Sequence, residues 1–218
     1  MNIEQARFNM IEQQIRPWDV LDHSVLELLS LVKREDFVPA AYRGLAFMDT
    51  EIPLGEGQFM LAPRVEARLL QDAAIQKHEK VLEVGAGSGF MAALLAHKAQ
   101  QVISLELRPS LVKMARNHLH RAGIGNAEVR EADGSQPSPV GGAPFDAIVL
   151  SGSVPSITDQ LRTQLKVGGR LIAVVGGDPI MQAQRVTRVS ESEFRTEILF
   201  DTLIPRLDGF LEPTRFTF

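Results

Sequence analysis

Residues 81–90, VLEVGAGSGF, run a short strand-like stretch into three glycines at alternate positions, Gly85, Gly87 and Gly89, and then into an apolar, helix-prone segment. A chain that passes from strand to helix on glycines is confined to few α/β folds. Such a turn frees backbone N–H groups at a helix start and lets a ligand approach the backbone closely. The flanking pattern narrows the choice. From Lys80, VLEV (81–84) is followed by a helix over 89–98, QVISLE (101–106), a helix from Pro109 to about Arg121, AEVREA (127–132), FDAIVL (145–150), a helix near 155–165 and GRLIAVVG (169–176). Short, nearly continuous apolar strands joined by helices predict a parallel sheet covered on both faces. QAQRVTRVS and FRTEILFDTLIP follow with no helix between them, which predicts an antiparallel hairpin finishing the sheet.

Upstream, residues 2–37 read as two helices broken near Pro17. Ile3, Phe8, Met10, Ile11 and Ile15 mark the first; Val25, Leu26, Leu28, Leu29 and Val32 mark the second. Residues 38–63 are rich in glycine and proline, lack periodicity, and read as a long loop containing DTEIPLGEGQFMLAP. Pro63 opens a helix through about Gln76. The expected organisation is an N-terminal unit, 1–63, of helices and substrate loop, packed on a ligand-binding core, 64–218, as one compact body.

Composition removes several function classes. With a net charge of -4 the chain lacks the basic surface that phosphate backbones require, so no nucleic-acid partner is expected. Having no cysteine, it forms no disulfide, thiolate zinc site or cysteine nucleophile. MNIEQARFNMIEQQ lacks the apolar centre of a signal peptide and no apolar run reaches membrane-spanning length, so a cytoplasmic protein with no membrane partner is expected. None of the five histidines has metal-ligand spacing, and no metal is expected. His118 and His120 read as structural residues at a helix end, and Trp18 as a packing anchor. Oligomeric state is left open.

In a sheet of this kind ligands bind beyond the carboxyl ends of the strands. Dinucleotide enzymes and methyltransferases both place a glycine turn after the first strand. The dinucleotide spacing G-x-G-x-x-G would put its third glycine at position 90, which is Phe90. Glu83, two residues before the turn, would repel a pyrophosphate and attract a ligand carrying an ammonium and a sulfonium. Glu106 stands 19 residues after Gly87, near the spacing at which a carboxylate accepts from ribose hydroxyls. Asp133-Gly134, after the third strand, is placed for adenine. These features favour S-adenosylmethionine.

At this point the sequence resembles the protein-L-isoaspartate O-methyltransferase family, over nearly its whole length. MIEQQIRPWDVLDHSVLELLSLVKREDFVPAAYRGLAFMD looks like that family's opening helices, VLEVGAGSGF its cofactor turn, SLEL its ribose-binding strand end and EADG its Asp-Gly. PFDAIVLSGSVPSITDQLRTQLKVGGRLIAVVG looks like its fourth and fifth strands with the helix between them. The resemblance implies a Rossmann-like, seven-stranded methyltransferase sheet. It assigns Glu83, Gly85, Gly87, Ser88, Gly89, Glu106, Leu107, Asp133 and Gly134 to the cofactor, and Gln58, Phe59, Met60 and Leu61 to a substrate loop expected to fold over the cleft.

That loop departs from the family. Where relatives read Thr-Ile-Ser after Gly-Gln, this chain has Phe59, Met60 and Leu61, so the family's Ser position is Leu61 and its hydroxyl is missing. A smaller departure is SGS (151–153), where the family often has Thr-Ala-Ala. The resemblance implies methylation of isoaspartyl carboxylates in damaged proteins or peptides. The altered loop keeps two other readings open, a methyltransferase for a small apolar acceptor and a protein that binds S-adenosylmethionine without turnover.

Overall fold

A computed structural model of the chain describes residues 2–136 and 142–211; Met1 and residues 212–218, the outer ends of the two expected units, lie outside these. The N-terminal arm starts with α1 (Ile3–Met10), whose first turn is capped by the Asn2 side chain accepting from the Gln5 N–H. It widens to a π turn at Ile11–Ile15 and tightens to a 3-10 turn at Arg16–Trp18. Pro17 cannot continue the ladder, Asp19 reverses the chain with φ 64°, and Asp22 caps α2 (His23–Leu31) by accepting from the Ser24 N–H.

The stretch 38–63 is not a featureless loop. A 3-10 turn at Ala40–Leu45 leads into an antiparallel hairpin, β1 (Ile52–Gly55) and β2 (Gln58–Met60), which pairs Ile52 with Met60 and Pro53 with Phe59. Glu56 and Gly57 turn it at φ 51° and 73°. Strands of four and three residues are too short to display the alternation by which strands are recognised. Next, α3 (Pro63–Ala73) stops at Ala74 in the left-handed region, short of Gln76.

The sheet runs β5-β4-β3-β6-β7-β8-β9, built from β3 (Lys80–Val84), β4 (Gln101–Glu106), β5 (Ala127–Glu131), β6 (Phe145–Val154), β7 (Leu165–Gly177), β8 (Ile180–Arg188) and β9 (Phe194–Asp201). β3 to β7 are mutually parallel, and β8 lies antiparallel to both β7 and β9. The order reverses at β3, which places the binding crevice at its carboxyl end. Val81, Val102, Ala147 and Val149 face one core, shared with α2, α3, α4 (Phe90–Lys98) and α5 (Pro109–Arg121). Leu82, Ile103, Ile148 and Leu150 face the other, shared with α6 (Asp159–Thr163) and with Leu207 and Phe210 beyond β9. Helices thus flank both faces, unequally. β6 and β7 run beyond the apolar stretches 145–150 and 169–176 because Ser153 and Val154 pair with Val174 and Val175, and Leu165 with Phe145, across register shifts, which shortens α6 to five residues. Among the described residues no helix is long and apolar enough to cross a membrane.

Candidate active site

The turn after β3 is set by backbone geometry. Gly85, Gly87 and Gly89 have φ of 93°, 51° and 84°, a region that disfavours any residue with a Cβ. A Cβ at Gly89 would lie 3.1 Å from the Ala115 backbone, so this glycine is where α4 and α5 meet. The Glu106 carboxylate, at the end of β4, accepts from the Gly87 N–H at 2.8 Å and the Arg108 N–H at 3.0 Å. It thereby stitches the second strand to the glycine turn. His118 of α5 donates from Nδ1 to the Ser88 carbonyl at 2.8 Å, and burial lowers its pKa, so the imidazole that braces the turn is neutral. After β5, Asp133 accepts from the Ser135 N–H at 2.9 Å, and a Cβ on Gly134 would overlap the Val84 side chain.

These elements enclose one cleft. Gly85, Gly87, Glu106, Leu107, Asp133 and Gly134 line it, and Gln58 and Phe59 reach it from the β1–β2 hairpin. Ser88, Gly89, Met60, Leu61 and Glu83 do not line this cleft. Ser88 is buried, its hydroxyl accepting from the Phe90 N–H at 3.3 Å. Glu83 is fully buried at the centre of a row across three strands: Ser104 of β4 donates to one oxygen at 2.5 Å and Ser151 of β6 to the other at 2.7 Å. Burial pushes its pKa up to about 7, with the carboxylates of Glu66 and Glu106 acting in the same direction. The fixed negative charge expected at this position is therefore replaced by a carboxyl that shares its proton near neutrality. The charge expectation assumed solvent contact that the position lacks.

Between turn and hairpin lies a second cavity of about 20 Å³, lined by Leu54, Phe59, Met60, Leu61, Glu66, Glu83, Gly85, Ser88 and Ser151 among others. Met60 and Leu61 are buried, and Phe59 is 41% exposed at the cleft mouth. Arg34, buried in the 3-10 turn Arg34–Asp36, holds the hairpin's exit strand: it donates to the carbonyls of Leu61 at 2.7 Å and Ala46 at 3.0 Å, pairs with Glu66, and lies 5.1 Å over the Phe90 ring. Complete burial raises Glu66 to about 7 against the pull of Arg34.

Sequence reasoning missed the strap after β9. FRTEILFDTLIP was read as strand to residue 205, but β9 ends at Asp201 and the chain crosses to run parallel beside the end of β6. The Ser153 N–H donates to the Pro205 carbonyl at 2.8 Å and the Leu207 N–H to the Ser153 carbonyl at 2.9 Å, which sets Leu207 and Asp208 in the cleft wall. Arg108 clamps the mouth by pairing with Asp208 of the strap and, at 3.7 Å, with Glu56 at the hairpin tip. Ser110 adds a hydroxyl bond to Glu56, and the Gln58 amide lies 3.5 Å from Asp208. The available signal was Gly152 in SGS, where a Cβ would lie 2.8 Å from Leu207. Trp18 is a packing residue, with Arg64 4.3 Å over its ring and Phe200 edge-on at 6.0 Å. Among the described residues no group of three or more His, Asp or Glu could hold a metal ion.

Comparison with known proteins agrees with this geometry. Residues 5–204 match the family model for protein-L-isoaspartate(D-aspartate) O-methyltransferase. A Rhodopseudomonas palustris (strain HaA2) protein named protein-L-isoaspartate O-methyltransferase 1 is 41% identical over 204 residues, 93% of this chain and 83% of the relative. One from Methanoculleus marisnigri is 39% identical over 195 residues, 89% of this chain and 87% of the relative. In fold, the chain is similar to a Plasmodium falciparum protein described as a protein-L-isoaspartate O-methyltransferase and crystallised with S-adenosyl-L-homocysteine, with a TM-score of 0.81 at 20% identity over 95% of this chain and 99% of that one. With its glycine turn, its stitched acidic strand end and its N-terminal arm all covered by these matches, the chain belongs to the protein-L-isoaspartate(D-aspartate) O-methyltransferase family.

Proposed function

We propose that this chain is an S-adenosylmethionine-dependent O-methyltransferase acting on the free carboxylate of isoaspartyl residues in proteins or peptides. The observation that carries the reading is the cleft in which the glycine turn, Glu106 and Asp133 converge beneath the β1–β2 hairpin, in a chain of this family. Chemically the residues suit the donor. Each Glu106 oxygen accepts one backbone N–H, which leaves acceptor capacity for ribose hydroxyls, and Leu107 offers apolar surface beside Asp133. Gly85 and Gly87 present bare backbone where a Cβ would obstruct approach. The cleft holds about 50 Å³, below the roughly 300–1,000 Å³ of small-molecule sites.

Bound there, S-adenosylmethionine would supply an electrophilic methyl group for a carboxylate oxygen, with its sulfur as the leaving group. A free carboxylate is ionised at neutral pH, so no general base is needed. The protein's part is to align the acceptor and exclude water. Phe59 and Leu207 close the apolar side of the mouth, and the backbone at Leu61, held by Arg34, forms the acceptor wall. The partners on this reading are isoaspartyl peptides and proteins, with no nucleic acid or membrane, and the setting is cytoplasmic.

One observation favours a second reading. Met60 and Leu61 give the hairpin side of the cavity beside the glycine turn an apolar surface, which suits a small acceptor with an apolar body and the same reacting group. Incubating the protein with methyl-labelled donor and an isoaspartyl peptide distinguishes the two. Base-labile methyl ester on the peptide supports repair; label moving only to apolar carboxylic acids supports the second reading. Donor binding without product from either acceptor rejects both in favour of a non-catalytic donor-binding protein.

A further inference from the structure

The family's loop hydroxyl is absent at Leu61, yet the cavity that Leu61 lines contains another hydroxyl. Ser151 stands at the carboxyl half of β6, beside the glycine turn, its Cβ 3.8 Å from the position a Cβ on Gly85 would take. It lines both the donor cleft and the small cavity beneath the hairpin, whereas Ser88, the other hydroxyl there, lines only the small cavity and accepts from the Phe90 N–H at the start of α4. Along β6, Val149 faces the helix-covered core, and Ser151, in the irregular stretch before Ser153, turns its hydroxyl to Glu83 on that same side. On the neighbouring strand Glu83 pairs in register with Val149 and with Ser104 of β4. The result is an unbroken row, Ser104, Glu83, Ser151, running from the buried sheet centre to the cavity. Resting on the reading above, we propose that the Ser151 hydroxyl, positioned by Glu83, orients the acceptor carboxylate in this chain in place of the missing loop hydroxyl.

The proton count sets the working state. Ser151 has one proton, donated to Glu83 at 2.7 Å. To donate to an incoming carboxylate the hydroxyl turns its O–H from Glu83 to the acceptor, and Glu83, taking up a proton on acceptor binding, donates a hydrogen bond to the vacated side of Ser151 Oγ. The methyl transfer itself moves no proton. On leaving as a neutral ester, the product accepts a weaker hydrogen bond, and Glu83 releases the proton. Glu66 of α3, with its partner Arg34, and Glu106 of β4 are the charged groups facing Glu83. The two carboxylates favour its protonated form.

Steady-state kinetics on an isoaspartyl peptide and calorimetric affinity for S-adenosylhomocysteine test this together, on wild type, Ser151→Ala, Ser151→Thr, Leu61→Ser and Leu61→Ser/Ser151→Ala. Loss of one positioning donor should lower kcat/KM of Ser151→Ala by about 100-fold, with donor-product affinity unchanged. Ser151→Thr should retain activity. Leu61→Ser should restore roughly 10-fold in the Ser151→Ala background, because the loop hydroxyl then takes over the orienting bond. An inactive wild type would overturn the proposed function and this inference with it. An active wild type with an equally active Ser151→Ala would overturn the inference alone. So would affinity for S-adenosylhomocysteine falling in step with turnover, or failure of both Ser151→Thr and Leu61→Ser to restore activity.

Discussion

The two walls of the cleft are held by different physics. On the donor wall, nearly every contact is backbone-mediated and local to strand ends: three glycines of positive φ, the Glu106 carboxylate bonded to two N–H groups, and a histidine on a carbonyl. On the acceptor wall, segments far apart in sequence are tied by ion pairs and side-chain bonds, Arg34 to Glu66 and Leu61, and Arg108 to Asp208 and Glu56. Main-chain geometry tolerates little variation. Side-chain ties can be exchanged, and that is the wall carrying Phe59, Met60 and Leu61.

Four measurements would break or sharpen that contrast. Arg34→Met leaves Glu66 buried without its partner and frees the Leu61 carbonyl; urea unfolding should show a loss of about 3–5 kcal/mol at pH 8, smaller at pH 5 where Glu66 is protonated. An unchanged midpoint would mean that the acceptor wall does not depend on that ion pair. Glu106→Ala removes the acceptor of two backbone N–H groups and should weaken donor binding about 100-fold by calorimetry, about 2.7 kcal/mol, and a loss under 3-fold would contradict the stitched-turn account. For Glu83 the sign follows from a folded pKa of about 7 against an ordinary 4.5. Its burial is fully tolerated below the ordinary value, and stability is lost as pH rises through 7. Glu83→Gln should therefore gain roughly 2 kcal/mol more, relative to wild type, at pH 8 than at pH 5; a gain independent of pH would exclude titration of this carboxyl. The smallest effect is expected from Arg108→Gln, a partly exposed clamp worth less than about 1 kcal/mol. Its signature should be kinetic, a several-fold faster release of S-adenosylhomocysteine in stopped-flow that high salt reproduces in wild type.

The geometry of the wall proposed for the donor was legible because its requirements fall on neighbouring residues. Gly85, Gly87 and Gly89, Glu106 at its fixed distance and Asp133-Gly134 all lie at the ends of strands that apolar runs reveal. The acceptor wall was not. The β1–β2 hairpin is too short for periodicity, and Ser104 and Ser151 meet Glu83 across separations of 21 and 68 residues that only register defines. Glu83 shows the limit most sharply: its identity was readable, but its protonation depends on burial, which a linear pattern does not convey. The strap was hidden because LIPRLDGF contains both strand-forming and turn-forming residues, and its bend becomes necessary only once Gly152 is seen to admit Leu207.

Arg34 belongs to the arm that precedes the sheet, yet it holds the carbonyl of Leu61 at the edge of the reaction cavity. We infer that the first 63 residues cannot be trimmed away as an appendage. Phe37 of the same arm meets the rings of Phe90 and His118 edge-on, so excising the arm would strip the helices that brace the glycine bend as well as the hairpin above it.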